Sequence, residues 1–440
     1  MTTRGFIIGA PRSGSGKTTL TLSLLAAARR RGLRVRAAKS GPDYIDPAFH
    51  AAATGMPSFN LDSWAMDRAQ LSTVAGYAVE SVECLVIESS MGLFDGVAGP
   101  EGRSGAGADL AAGLGLPVVL ILDVSGHSQS AAAVARGFAG HAPGVHIAGV
   151  VLNRVASERH RQGVADAMLR VGIPILGAIP RDVAIVLPER HLGLVQALEH
   201  PDLPAHLERL ADLAENALDV PGIFALATPL PSGGAGDALL RPPGQRVAMA
   251  RDVAFSFMYA HVLEGWRRAG SEIVFFSPLA DETPPEDCDS CWLPGGYPEL
   301  HAGQLAAAQK FKAGLAAFAQ TRPVHGECGG YMALGTSLQS ADGVWHAMAG
   351  LLSHETSFAT RRMNLGYRQA ETLADSALGP EGTRVRGHEF HYAAMVAPGT
   401  DAPLAQLRDG TGQVLGASGG VRGQVSGAFF HAIAAGGGIF

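Results

Sequence analysis

"RGFIIGAPRSGSGKTTLTLSLLAAARRRG" occupies residues 4–32, and its reading decides the fold. "RGFIIGA" is a short apolar run of the kind a strand buried on both faces carries. "KTTLTLSLLAAARRRG" reads as a helix stopped by Gly32. A strand that feeds a glycine-rich turn and opens a helix is the setting of a P-loop. Backbone N–H groups of Ser13, Gly14, Ser15, Gly16 and Lys17 can wrap phosphate oxygens, and the helix N-terminus adds about half a positive charge. Lys17 is expected to reach the β- and γ-phosphates and Thr18 to hold Mg²⁺, with Thr19 beside them in the ATP site. The strict pattern G-x-x-x-x-G-K-[ST] is not met, because Pro11 stands where the first glycine belongs. The match is a variant one residue longer, starting at Ala10.

Working outward, the β-then-α rhythm continues to about residue 226. Further strands are "LRVRAAKS", "VECLVIES", "PVVLILDV", "HIAGVVLNRV" and "IPILGAIP", with helices such as "SQSAAAVARGFAGHA" and "ERHRQGVADAMLRVG" between them. Alternating elements of this kind make a doubly wound parallel sheet. "SGPDYIDPAFH" (40–50) places Asp43 and Asp46 just after the second strand, with Lys39 at that strand's C-terminal end, the edge where such sheets bind ligands. "VIESSMGLFDG" (86–96) ends a buried strand with Glu88 and offers Asp95 in a glycine-flanked turn. A carboxylate ending an apolar strand is a reasonable Mg²⁺ ligand, and equally an ordinary loop carboxylate or cap.

Residues 227–245, "ATPLPSGGAGDALLRPPGQ", are rich in Pro and Gly and read as a linker. The rhythm then restarts over 246–440. "RVAMARD" is a strand, a helix runs through "SFMYAHVLEGWRRAG", "EIVFFSP" is a strand, and a long alanine-rich helix is expected near 300–320. The last hundred residues look strand-rich. The fold class is therefore α/β, with an N-terminal P-loop sheet and a second α/β domain.

"PVHGECGGYMALG" (323–335) runs from an apolar strand through a tight turn into a helix, with Cys328 at the turn. This is the pattern of a nucleophile elbow, where small neighbours leave the side chain on a strained bend. A helix N-terminus is expected to lower the thiol pKa. The N–H of Gly329 could stabilise an oxyanion, with a second donor, Gly296, in "LPGGYPE". A thiol nucleophile needs a base, and His431 in "VSGAFFHAIAA" follows an apolar strand far downstream.

Composition bounds the rest. The chain has 440 residues, 47% hydrophobic and 17% charged, enough for two cored domains. A net charge of −6 with no basic run argues against a nucleic-acid partner. No apolar stretch reaches the length of a membrane helix, and the N-terminus does not read as a signal peptide. Four cysteines (Cys84, Cys288, Cys291, Cys328) make no disulfide framework at this length, which fits a reducing cytoplasm. The pair Cys288 and Cys291 lacks a second pair or a spaced histidine, so zinc or redox work is outweighed by two small residues entering a strand. Lysine is scarce: Lys17, Lys39, Lys310 and Lys312 are all there are. A lysine kept in so arginine-rich a chain points to a role for a compact point charge.

Taken in order, "SGSGKTTLTL", "GPDYIDPAFH", "ESSMGLFDG", "GVVLNRVASERH", "LGAIPRD", "LPERHLGLVQA", "LPGGYPEL", "HGECGGYMALG" and "RGHEFHY" resemble the cobyrinic and hydrogenobyrinic acid a,c-diamide synthases of cobalamin biosynthesis. The resemblance covers nearly the whole chain. It implies a class I glutamine amidotransferase domain behind the P-loop domain, with ATP, L-glutamine and a corrinoid acid as partners. The a and c carboxylates would be activated as acyl phosphates, and ammonia from a Cys328 thioester, with His431 as base, would displace the phosphate. By motif match Lys17, Thr18, Asp46 and Glu88 fall on the nucleotide and metal site. Asp43, Tyr44 and Asp95 fall where the family handles the carboxylate substrate, and Asn153 in "LNR" would face the adenine.

Two positions depart from the pattern. Many class I amidotransferases carry an acid two residues after the histidine. Here that residue is Ile433, which leaves Glu389 and Glu327 as substitutes. "ESSMG" also stands where glycine and a small apolar residue are expected after the glutamate. Three other readings stay open, one of them a corrinoid-binding sensor without catalysis, against which the intact Lys17, Cys328 and His431 argue. Cobyric acid synthase, which amidates four other side chains, is disfavoured by "GPDYIDP" and by the shorter length. A P-loop ATPase switch of the partitioning or metallocluster kind usually has a lysine five residues before the P-loop lysine. This chain has Arg12 there, and such switches lack the second domain. A homodimer is compatible with the sequence.

Overall fold

The computed structural model describes residues 2–181, 189–190, 193–194, 196–231 and 239–436. The chain forms two compact units, residues 1–236 and 237–440. Much of "LPERHLGLVQA" (187–197), the last residue of "LGAIPRD" (176–182) and residues 232–238 of the expected linker lie outside the described residues.

The first unit is built on strands β1 (Arg4–Gly9), β2 (Val35–Ser40), β3 (Phe59–Leu61), β4 (Cys84–Glu88), β5 (Val118–Asp123), β6 (Ile147–Val155) and β7 (Ile175–Pro180). Their order is β3-β2-β4-β1-β5-β6-β7, and every pairing among them is parallel. Helices α1 (Lys17–Arg30), α2 (Asp46–Thr54), α3 (Arg68–Val79), α4 (Gly107–Leu114), α5 (Ser130–His141) and α6 (Glu158–Val171) connect them. Phe6, Ile7 and Ile8 are fully buried, as a central strand covered on both faces requires. Gly32 takes a left-handed φ of +76° and donates its N–H to the Arg29 carbonyl, which ends α1. The C-terminal ends of β1, β2 and β4 are neighbours, so their loops gather at one edge, where α/β sheets bind ligands.

The expected linker is not free at its ends. Thr228–Pro229 pairs antiparallel with the start of β1. In the second unit the Leu239 carbonyl accepts from the Ala435 N–H at 2.6 Å, and the Leu240 carbonyl from Trp266 Nε1 at 3.1 Å. Both leucines are buried. Apolar anchors inside a Pro/Gly-rich stretch secure it where composition alone suggests a loose tether.

The second unit has a six-stranded sheet in the order Glu272–Phe276, Arg246–Ala250, Ser290–Leu293, Val324–Glu327, Val425–Ala428, Gly420–Arg422. The first five run parallel and the last is antiparallel. The expected strand-rich end appears as a largely antiparallel region that includes Asn364–Thr372, Arg384–His391 and His431–Ala435. The helix expected from Ser256 starts later, at Ala260, because the Phe257 N–H is drawn to the Gly295 carbonyl at 2.9 Å. The helix expected near 300–320 is two helices, Ala302–Ala307 and Gln309–Phe318. Ala308 leaves the helical region at ψ 76°, and the Asp281 carboxylate accepts the Phe311 N–H at 2.8 Å, capping the second helix from another segment. Cys288 and Cys291 pack in the apolar core of this unit.

Gly330 shows how tightly this unit is assembled around its helix Gly329–Leu334. A Cβ there would strike the Leu293 carbonyl, lying 2.6 Å from its carbon. Neither backbone can yield cheaply. Gly330→Ala should therefore lower the melting temperature of this unit by several degrees in calorimetry. An unchanged transition would mean that the helix and strand can part without loss.

Candidate active sites

The first site lies at the C-terminal edge of the parallel sheet. Gly14 (φ +73°) and Gly16 (φ +101°) take the left-handed conformations that turn the loop into α1. Ser13 and Gly14 are exposed, Ser15 is buried and Thr19 half-buried. Ser15 Oγ donates to the Arg12 carbonyl at 3.0 Å, and Asn153 Nδ2 donates to the Ser15 carbonyl at 2.8 Å. Asn153 thus braces the loop from the end of β6. The Lys17 ammonium is buried and donates to the carbonyls of Met91 and, at 3.4 Å, Arg12. Burial and the nearby Lys39 charge push its pKa down to about 8.

Beneath the loop four of the expected residues converge. Lys39 Nζ lies 2.6 Å from Asp46 Oδ2 and 2.8 Å from Glu88 Oε1. Thr18 Oγ1 donates to Glu88 Oε1 at 2.7 Å and lies 3.4 Å from Asp46 Oδ2. Asp43 Oδ2 stands 3.9 Å from the same ammonium, and its Oδ1 accepts the N–H groups of Ile45 and Asp46, capping the start of α2. Burial would lower the Lys39 pKa, but its carboxylate neighbours hold it well above the usual lysine range. Burial would raise Glu88, but Lys39 and His50 hold it well below the carboxylate range. Burial and the Asp43 charge push Asp46 up to about 7.

These oxygens suit a small hard dication, and an ammonium already bridges two of them. Among the described residues, no group of three or more His, Cys, Asp or Glu side chains could hold a metal alone. A Mg²⁺ here therefore needs phosphate or water oxygens to complete it, as Mg²⁺ sites commonly do.

Tyr44 is buried, while Asp95 is exposed and accepts the Gly92 N–H at 3.0 Å. The Asp95 charge also lies close enough to Lys17 to oppose slightly the lowering of its pKa. Met91, in the unusual "ESSMG", sits at φ +49° with its side chain over Ser13 Oγ, 3.5 Å from its sulfur. Met91 covers the loop, and Glu88 stands in the cluster with Lys39 and Thr18.

The sequence reading missed His50. It is fully buried, with Nε2 2.8 Å from Glu88 Oε2 and Nδ1 3.2 Å from Ser58 Oγ. Its spacing four residues after Asp46, one turn along α2, is the signal that could have found it. Arg12, in the phosphate loop, and Arg154, near the end of β6, also share the Asp123 carboxylate, at 2.9 and 2.6 Å.

The second site is the turn at Cys328. Its backbone has φ +47° and ψ −103°, a strained conformation for a residue with a Cβ, as an elbow requires. The Cys328 N–H donates to the Ala428 carbonyl at 2.9 Å and ties the turn to the neighbouring strand. His431 faces it across Gly295. A Cβ on Gly295 would lie 2.9 Å from His431 Nε2 and 3.2 Å from Cys328 Cβ. A Cβ on Gly329 would lie 2.9 Å from the Gly296 backbone nitrogen, so the two glycines expected to supply donors are adjacent. Ile433 is fully buried. Glu327 Oε2 lies 3.8 Å from His431 Nδ1, whereas Glu389 is paired with Arg368.

The thiol differs from expectation. Its pKa is pushed well up, first by burial, then by Glu299; the Gly329 N–H opposes them, and Glu389 and Glu327 add smaller contributions. A helix of six residues does not offset burial among carboxylates. Burial, with His388 and His391, pushes His431 down to about 3. The resting pair is thus a neutral thiol and a neutral imidazole, which suits transfer of the proton as the nucleophile attacks.

Comparison with known proteins matches residues 6–195 to the CobQ/CobB/MinD/ParA nucleotide binding domain. Residues 246–438 match the CobB/CobQ-like glutamine amidotransferase domain. The chain is 61% identical over 436 residues to the hydrogenobyrinate a,c-diamide synthase of Mesorhizobium japonicum, covering 99% of both chains. It is 59% identical to that of Agrobacterium fabrum, covering 99% of this chain and 100% of the relative. It is 56% identical to that of Rhodobacter capsulatus, covering 98% and 99%.

Gly295 gives a sharp test of the second site. A methyl group there would sit between His431 and Cys328. Gly295→Ala should abolish glutamine hydrolysis, measured as glutamate release, while nucleotide binding to the other unit is unchanged. Wild-type hydrolysis would mean that the cysteine and histidine do not work across this gap.

Proposed function

The chain belongs to the hydrogenobyrinate a,c-diamide synthases, and we propose that its two sites divide one amidation between them. The reaction is ATP- and glutamine-dependent conversion of the a and c side-chain carboxylates of a corrinoid acid to amides, a step of cobalamin biosynthesis. The enzyme is a carbon–nitrogen ligase with glutamine as amide-nitrogen donor. The names of its relatives favour the cobalt-free hydrogenobyrinic acid as substrate. The observation that carries the reading is one chain holding both a loop with Lys17 above the Thr18–Asp46–Glu88 oxygens and a strained Cys328 facing His431.

In the first unit the P-loop amides and Lys17 hold the ATP phosphates, and Asn153 stands on the adenine side while bracing Ser15. Thr18, Asp46 and Glu88 would hold Mg²⁺, which when bound offsets phosphate charge as the γ-phosphoryl group moves. Asp43, Tyr44 and Asp95 lie toward the corrin carboxylate. A carboxylate oxygen attacks the γ-phosphorus, giving the acyl phosphate and ADP. Lys17 and Lys39 offset the negative charge gathered there.

In the second unit Cys328 Sγ attacks the glutamine side-chain carbonyl carbon as its proton passes to His431 Nε2. Gly296 and Gly329 offer N–H groups to the oxyanion. His431 returns the proton to the departing nitrogen, and water then cleaves the thioester to glutamate. The released ammonia attacks the acyl carbon, and phosphate leaves. We infer a cytoplasmic location, because the reaction draws on ATP and glutamine supplied there. No helix among the described residues is long and apolar enough to cross a membrane.

The direct test incubates the protein with ATP, Mg²⁺, glutamine and hydrogenobyrinic acid and follows product mass. Two successive replacements of OH by NH₂ are expected, and no mass change would overturn the reading. Cys328→Ala should lose glutamine-driven amidation and keep amidation driven by free ammonia. Lys17→Ala should lose both, because the acyl phosphate no longer forms. Ammonia-driven product from Lys17→Ala would refute the P-loop assignment.

A further inference from the structure

A buried histidine that takes a proton needs a partner for the charge it gains. The acid two residues after the histidine is absent here, since that residue is the fully buried Ile433. Glu327 reaches the same histidine from another strand. It ends Val324–Glu327, immediately before the nucleophile, opposite Ala428 in the parallel pairing.

Its side chain is 7% exposed and that of His431 is 1%. Oε1 accepts the Ala432 N–H at 2.8 Å, and Oε2 lies 3.8 Å from His431 Nδ1. One side chain therefore holds the backbone beside the histidine and faces its ring; burial pushes its pKa up to about 8, against the Ala432 N–H and Trp292, and a positive charge forming on the ring favours its ionised form. The ring's other nitrogen, Nε2, is the one turned toward Cys328 across Gly295. Glu389, the other acid named from the sequence, is committed to Arg368.

We propose that Glu327 is the positioning residue of the glutaminase site: its carboxylate keeps Nδ1–H of His431 on its own side and Nε2 toward Cys328, and balances the imidazolium formed in the transfer. The inference rests on the glutaminase reading above. The proton leaves Cys328 Sγ and arrives at His431 Nε2, so the Nδ1 proton stays in place. Glu327 then lies within ion-pair reach of the new positive charge. In a site this dry such a pair is screened little, and each charge depends on the other. Constellations of this kind recur on different chain orders, so an acid from another strand can serve the same histidine.

The test uses the full-length enzyme and separates charge from shape. In Glu327→Gln the side-chain carbonyl can still accept the Ala432 N–H, but the charge is gone. Glutamine-dependent kcat should fall at least about tenfold while KM for glutamine changes less than about twofold. Glu327→Asp should recover part of the lost kcat. Amidation driven by free ammonia serves as the control for the other unit. A Glu327→Gln enzyme with wild-type glutamine kcat overturns the proposal. So does a loss that Glu327→Asp does not relieve, or one that strikes ammonia-driven amidation equally, because each marks a purely structural role. Glutamine turnover surviving in Cys328→Ala would instead overturn the glutaminase reading, whatever Glu327 does.

Discussion

The ammonium of Lys39 is the constraint on which the first unit turns. It is buried, and a buried charge left unpaired costs several kcal/mol. Its partners come from different elements: Asp46 opens α2 and Glu88 ends β4. Lys39 and Glu88 stand opposite each other in the β2–β4 register, so a slip of one residue would turn one of them to the other face of the sheet. His50 holds the second oxygen of Glu88 and is itself tied to Ser58. One cluster thereby sets sheet register, the start of α2 and the floor of the phosphate loop. Burial and the crowding of three carboxyl groups around one lysine push Asp46 up to about 7, a repulsion that a dication bound there would relieve.

The second unit is constrained by space more than by charge. Gly295 lies between Cys328 and His431, Gly296 lies against the Ala254 backbone, and Gly330 lies against Leu293. Each lacks room for a methyl group, and together they let the strained Cys328 turn approach the histidine. The same crowding removes water, and this raises the thiol pKa and lowers that of the imidazole.

Local patterns were legible where they report local physics. Of the seven parallel strands in the first sheet, the sequence reading lacks Phe59–Leu61, which is three residues long and offers little periodicity. The alanine-rich stretch near 300–320 reads as one helix because alanine favours helix everywhere. Its break at Ala308 depends on a cap from Asp281, a residue in another segment. The ends of the 227–245 stretch looked loose because Pro and Gly dominate the count, yet Leu239 and Leu240 are anchored by Ala435 and Trp266.

The sequence by itself determined the P-loop, the cysteine elbow and the two-domain plan, because each rests on residues adjacent in the chain. It also named Lys39, Asp46, Glu88 and His431 as site residues from strand ends. Only the tertiary structure decided that one ammonium bridges Asp46 and Glu88, that His50 backs Glu88, and that Glu327 faces His431 where Ile433 cannot. It alone decided that the Cys328 thiol is raised and not lowered. Pairing distance, burial and the local dielectric depend on residues brought together from distant parts of the chain, and no local pattern encodes them.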